Sequence, residues 1–208
     1  MKLVRLRYTK WYQLLSRGIF KENPIYAMAL GICSALAVTN RVENAIAMGV
    51  GVTFVLIMSS ASTSLIRKFI PGRVRMVTYM VLISTFVIAF QLVLQAFFFD
   101  LSKSLGAYTG LIITNCIVMG RAEAFAVKNP VHFSVIDALA NGLGYTFTLL
   151  ALSIVREILA FGTLLGFQVT PDGWTNWVVM AMAPGAFFVM AIYMWIMRTI
   201  AKLDQEGA

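Results

Sequence analysis

The sequence predicts an all-α integral membrane protein of six transmembrane helices, built as a 3+3 inverted-topology repeat. Three observations predict it. With 60% hydrophobic and 12% charged residues, and a mean hydropathy of +0.81, the chain has too little polar surface to cover a water-soluble globule of its size. Six predominantly apolar runs, near 24–42, 44–66, 76–99, 105–126, 133–160 and 177–199, each approach or exceed the roughly 20 residues that cross a bilayer. Two short motifs recur at matching places in the two halves.

Taken in order, residues 1–23 are a basic N-terminal segment, carrying Lys2 to Lys21 and no pattern of a cleavable signal, so the first helix is expected to be retained. The first repeat covers about 24–99 and the second about 105–199, within one membrane domain of residues 1–208. Little of the chain is left over for a soluble catalytic or nucleotide-binding domain.

The repeat is carried by Gly49-Val50-Gly51-Val52-Thr53-Phe54 against Gly142-Leu143-Gly144-Tyr145-Thr146-Phe147, and by Ser64-Leu65-Ile66-Arg67 against Ser153-Ile154-Val155-Arg156. Both pairs fall in the second helix of a three-helix unit. An odd number of spans per unit sends the second copy into the membrane from the opposite side. The only two cysteines, Cys33 and Cys116, fall in the first helix of each unit, and at about 1.5 Å of rise per residue both come near mid-depth. Gly31 and Ser34 flank Cys33, and Thr114 and Asn115 precede Cys116. Such residues can satisfy backbone groups freed at a break, so helices one and four are expected to be interrupted near the midplane; close helix packing is the competing use of the same residues.

Charge sets the orientation. Lys2, Arg5, Arg7, Lys10, Arg17, Lys21, Arg67, Lys68, Arg73, Arg75, Arg121, Lys128, Arg198 and Lys202 fall on one side, fourteen of the 17 Lys and Arg; Arg41, Lys103 and Arg156 fall on the other. The rich side is expected to be cytoplasmic, with both termini there. The net charge of +8 is thereby assigned to anionic headgroups and not to nucleic acid.

Two thiols admit several chemistries. A midplane disulfide has little access to exchange partners. Zinc wants four ligands, and the single histidine, His132, is placed at the cytoplasmic interface near the start of span five. An iron–sulfur cluster also wants four ligands, which two cysteines supply only if a partner brings the rest. Packing as small apolar side chains stands beside these readings.

The stretches "LGICSALAVT" at 30–39, "GLIITNCIVMGRAEAFA" at 110–126, "NGLGY" at 141–145 and "SIVREILAFGTLLG" at 153–166 together resemble the NqrD/RnfE family. Its members are membrane subunits of the Na⁺-translocating NADH:quinone oxidoreductase and of the Rnf electron-transport complex. Cys33-Ser34, where Rnf proteins tend to Cys-Pro, is more similar to the quinone reductase. The resemblance implies a bacterial inner-membrane protein, multi-pass, paired with a paralogous six-helix subunit of opposite topology. It implies that Cys33 and Cys116 are two of four ligands of an intramembrane [2Fe–2S] cluster shared with that partner. It further implies electron transfer across the bilayer coupled to Na⁺ export, with flavins on other subunits. Enzyme activity then belongs to an ion-translocating oxidoreductase complex and not to this chain alone.

An electron placed in a low-dielectric site draws a compensating cation toward it. Thr39, Thr114, Asn115 and Asn141 offer neutral oxygens, and Asp137 is the candidate carboxylate within span five; hard oxygens suit Na⁺, and ordinary interhelical hydrogen bonds are their alternative use. Arg121 and Glu123, two apart, do not share a helix face and are expected to find separate partners, candidate contacts to the paralogous subunit. The alternatives to the quinone-reductase subunit are the Rnf subunit in the same role, a self-contained inverted-repeat secondary transporter, and a membrane scaffold.

Overall fold

Hydrocarbon offers no water to free amide and carbonyl groups, so a chain this apolar closes its backbone bonds within helices. The computed structural model describes residues 24–25, 28–67, 69–97, 106–164, 167–168 and 178–206. The basic segment 1–23 and the connection containing Lys103 lie outside the described residues.

The described elements are α1 (Ile32–Val38), α2 (Val42–Ile66), α3 (Arg75–Phe97, led in by a 3₁₀ turn at Gly72–Val74), α4 (Thr109–Ile113), α5 (Cys116–Arg121, continued by a π-helical turn at Ala122–Ala126), α6 (Val131–Phe161), α7 (Val178–Ala181) and α8 (Ala183–Glu206). Among the described residues, four helices are long and apolar enough to cross a membrane: Val42–Ile66, Gly72–Phe97, Val131–Phe161 and Ala183–Ile200. They occupy the second, third, fifth and sixth expected spans. The first and fourth are assembled from short pieces instead. A two-residue antiparallel pairing, Thr163 with Gln168 and Leu164 with Phe167, adds a small non-helical element after α6. There Gly162 ends the helix at φ 67°, a left-handed C-cap that a residue with a Cβ adopts only at a cost.

The centre of the molecule is α2 against α6. Buried positions take up 50% and 56% of the most apolar stretches of these two helices, against 17% for those of α3 and α8. Hydrophobicity alone does not decide the inside of a membrane protein, because lipid is as apolar as leucine; close backbone approach does. A Cβ on Gly49 would lie 2.6 Å from Thr146 Cγ2, and a Cβ on Gly142 would lie 2.7 Å from Thr53 Cγ2. The contact is reciprocal: the glycine of each motif copy receives the threonine of the other, which requires the two helices to run antiparallel. Thr53 and Thr146 donate their hydroxyls to Gly49 O and Gly142 O at 2.7 and 2.8 Å, so neither brings an unsatisfied donor into the seam.

The second motif is exchanged in the same sense. Arg67, closing α2, donates to Val127 O just beyond α5 and its π turn, at 3.4 Å. Arg156, in the last turns of α6, donates to Leu36 O at 3.2 Å and to Thr39 Oγ1 at 2.5 Å at the end of α1, and to Met180 O and Met182 O around the α7–α8 break. Helix C-termini leave carbonyls without intrahelical partners, and a guanidinium with five fixed donors is suited to fill them. Next to it, Glu157 Oε2 accepts from Val42 N at 2.7 Å and satisfies the start of α2.

Candidate functional site

Both cysteines sit at the start of a short helix that follows a break. Gly31, at φ 78°, turns the chain into α1, and Cys33 is the second residue of that helix. In the other half, α4 stops at Ile113, and Asn115 caps α5 by accepting from Ile117 N on Oδ1 at 3.1 Å, with Cys116 as the first helical residue. An asparagine before a helix is among the best side chains for this, since it fills a donor that the helix itself cannot.

The two breaks are pressed together. A Cβ on Gly31 would come within 2.6 Å of Ile117 Cδ1 and 3.2 Å of Tyr145 Cε2, so both the positive φ and the lack of space require glycine here. Ser34 Oγ and Tyr145 Oη are 2.7 Å apart, Asn115 Nδ2 donates to Ser34 Oγ at 3.3 Å, and Ser34 donates to Gly31 O at 3.0 Å. Ser34, Asn115 and Tyr145 are all buried, while Cys33 and Cys116 are free thiols exposed at the surface of the chain. At each break, therefore, the residue beside the cysteine is turned into the protein and the cysteine itself is turned out.

The remaining candidates divide. Arg121 and Asp137, both buried, form a bidentate ion pair, with Arg121 Nε donating to Asp137 Oδ2 at 2.9 Å and Nη2 to Oδ1. Arg121 thus has a partner within the chain. Glu123 lies 3.6 Å from Arg75 across a partly exposed edge. The two do have separate partners, as their spacing requires. Asn141 Nδ2 donates to Asp137 O at 2.8 Å, while its Oδ1 is buried without a hydrogen-bond partner. Thr39 donates to Ala35 O and accepts from Arg156, and exposed Thr114 donates to Gly110 O. The five candidate oxygen residues do not form one cluster: Thr39 is held by Arg156, Thr114 and Asn115 belong to the break before α5, and Asp137 and Asn141 share one face of α6. His132 is exposed and packed on Phe133.

Sequence reasoning misses the roles of Tyr145, Arg156 and Glu157. The signal available is an adjacent Arg and Glu near the end of a membrane helix, where ionisable side chains stay only if they are paired or functional.

Defined by these features, the chain is a polytopic membrane protein with two broken helices, each presenting a thiol at its break. It belongs to the Rnf-Nqr subunit family of membrane proteins, whose pattern matches residues 11–194. Curated relatives include the NqrD component of the Na⁺-translocating NADH-quinone reductase of Chlamydia felis, 49% identical over 86% of this chain and 88% of its own length. The protein of the same description from Pseudoalteromonas atlantica is 43% identical over 93% of this chain and 95% of its own.

Proposed function

We propose that this chain is the NqrD component of a Na⁺-translocating NADH:quinone oxidoreductase, and that Cys33 and Cys116 are half the ligand set of a [2Fe–2S] cluster. The observation that carries the reading is the outward exposure of both thiols at adjoining helix breaks. The donor chemistry fits half a site: two soft thiolate ligands stand at a surface, and no group of three or more His, Cys, Asp or Glu is found among the described residues. A [2Fe–2S] cluster takes four thiolates. The other two would come from a partner, for which the paralogous six-helix subunit of opposite topology is the proposed source.

When bound, the cluster supplies one-electron transfer between flavin and iron–sulfur groups of other subunits. The chain's own residues would hold the two thiolates apart, shield one side of the site with α1, α5 and α6, and provide the low dielectric that ties electron entry to cation movement. Asn141 is the proposed oxygen beside a Na⁺ path, since its Oδ1 is buried with a free acceptor position, whereas both oxygens of Asp137, one turn away, are engaged by Arg121. Export from cytoplasm to outside, location in the bacterial inner membrane and cytoplasmic termini belong to the same proposal. The 3+3 inverted repeat does as well, supported by the reciprocal glycine–threonine contacts and the exchanged arginines.

The test is iron and EPR on the purified complex after reduction, with Cys33→Ala and Cys116→Ala variants. Wild type should give a [2Fe–2S] signal that either substitution abolishes; equal iron and equal signal in all three would sink the cluster. A reporter fused after Ala208 should read as cytoplasmic, and a periplasmic readout would overturn the orientation.

A further inference from the structure

The contacts behind the two thiols form a closed hydrogen-bonding node, which the electron-transfer role by itself does not call for. Ser34 has one hydroxyl proton and two lone pairs. The proton goes to Gly31 O, and the lone pairs face Tyr145 Oη and Asn115 Nδ2. Every capacity of a buried hydroxyl is used, and its partners come from three places: the turn before α1, the break before α5, and the middle of α6. The node is one residue from Cys33 on one side and one residue from Cys116 on the other. Apolar contacts reinforce it, with Ile117 and Tyr145 both packed against Gly31.

We infer that Ser34, Asn115 and Tyr145 are positioning residues that fix the separation and orientation of Cys33 and Cys116, so that the chain presents a preformed half-site. The inference rests on the proposed ligand role of the cysteines for its redox consequences. Its geometric content does not: the two thiols are held in register whatever they bind. Groups that orient a metal's ligands typically change its affinity by roughly 10–100-fold when removed, and they tune its potential.

Asn115 has two separable jobs. Its Oδ1 caps α5, whereas its Nδ2 bridges to Ser34. Asn115→Asp retains a good cap, replaces the bridging donor by a carboxylate oxygen and adds a buried negative charge beside Ser34, so the uncharged Ser34→Ala and Tyr145→Phe variants are read beside it. Tyr145→Phe keeps the ring against Gly31 and removes the hydroxyl. Ser34→Ala removes the whole node, and Ser34→Thr restores a hydroxyl.

The experiment uses the intact complex and two readouts. The first is the rate at which a short bismaleimide links Cys33 to Cys116 after iron has been removed with a reductant and chelator. It should fall severalfold in Ser34→Ala and Asn115→Asp, by less in Tyr145→Phe, and recover in Ser34→Thr. The second is the EPR spectrum and midpoint potential of the loaded complex, expected to shift in Tyr145→Phe and Asn115→Asp, with iron retention roughly tenfold lower in Ser34→Ala. Wild-type linking rates in all the variants, or thiols that do not link in the wild type, would overturn the positioning role. Wild-type complex without iron or signal would instead overturn the cluster, and the linking rates would still decide the positioning.

Discussion

Two pairs of arginines occupy opposite environments in this molecule. Arg121 and Arg156 are buried, at 6% and 2% exposure, while Arg67 and Arg75 lie along a partly exposed edge beside the turn into α3. The difference is in what each guanidinium is given. Arg121 has a bidentate carboxylate, and Arg156 donates to oxygens at the ends of α1 and α7 and at the residue after α7. Arg67 has one long bond to a carbonyl, and Arg75 one loose ion pair. Burial of a cation in this fold goes with saturation of its donors, because an unpaired charge in a low-dielectric interior is costly.

The largest effect should follow from breaking the buried pair. Arg121→Ala removes the guanidinium paired with the buried Asp137 carboxylate and is expected to destabilise the solubilised protein by about 3–5 kcal/mol, measured by thermal unfolding. Arg121→Ala with Asp137→Ala should be milder than Arg121→Ala alone, since no buried charge is then stranded. If the double variant is the worse of the two, the pair is not what holds the carboxylate.

Arg156→Ala comes next, at about 3 kcal/mol, because it strips several partly buried carbonyls of their donor and opens a void where a buried side chain stood. Arg156→Lys should not rescue it: an ammonium has three donors and no planar fork, and cannot span Leu36, Thr39 and Met180 together. Full rescue by lysine would mean that charge, not geometry, matters at this site.

How far these roles are legible in the sequence follows the same division. The four long helices are visible because apolar length is a property of the chain itself, and Val42–Ile66 and Val131–Phe161 begin and end within two residues of the expected runs. The first and fourth spans look continuous in composition but fold as fragments, since a break is decided by where backbone groups find other partners. Gly31 and Asn115 mark those places, and both stand out in the sequence as small or polar neighbours of the cysteines. Arg156 reads in the sequence as one of three charges on the sparse side and as the end of a repeated Ser-x-x-Arg motif, but its burial depends on carbonyls from α1 and α7 that lie 120 and 24 residues away in sequence. Tyr145 stands inside the repeated glycine motif, but its hydroxyl partner, Ser34, is 111 residues away and nothing local points to it.

The seam between α2 and α6 gives a smaller, reciprocal test. Gly49→Ala places a methyl 2.6 Å from Thr146 Cγ2 and should cost about 1–3 kcal/mol as overpacking. Gly142→Ala should cost a similar amount against Thr53. Thr146→Ala should relieve the first substitution and leave the second unchanged, while Thr53→Ala should do the opposite. Cross-rescue in the wrong pairing would contradict the antiparallel exchange.

The smallest effect is expected at Arg67, and it is the one that most sharpens the contrast with Arg156. The two close the same Ser-x-x-Arg motif and reach toward the same kind of target, a carbonyl toward the end of a segment that starts at a cysteine-bearing break. Arg67→Ala should nevertheless change stability by no more than about 0.5 kcal/mol, since its side chain is only half-buried and water or headgroups can solvate Val127 O in its place. Arg67→Lys should be indistinguishable from wild type by the same unfolding measurement. A loss at Arg67 as large as that at Arg156 would mean that the shared motif acts through its sequence, and that the burial of each arginine is not what sets its strength.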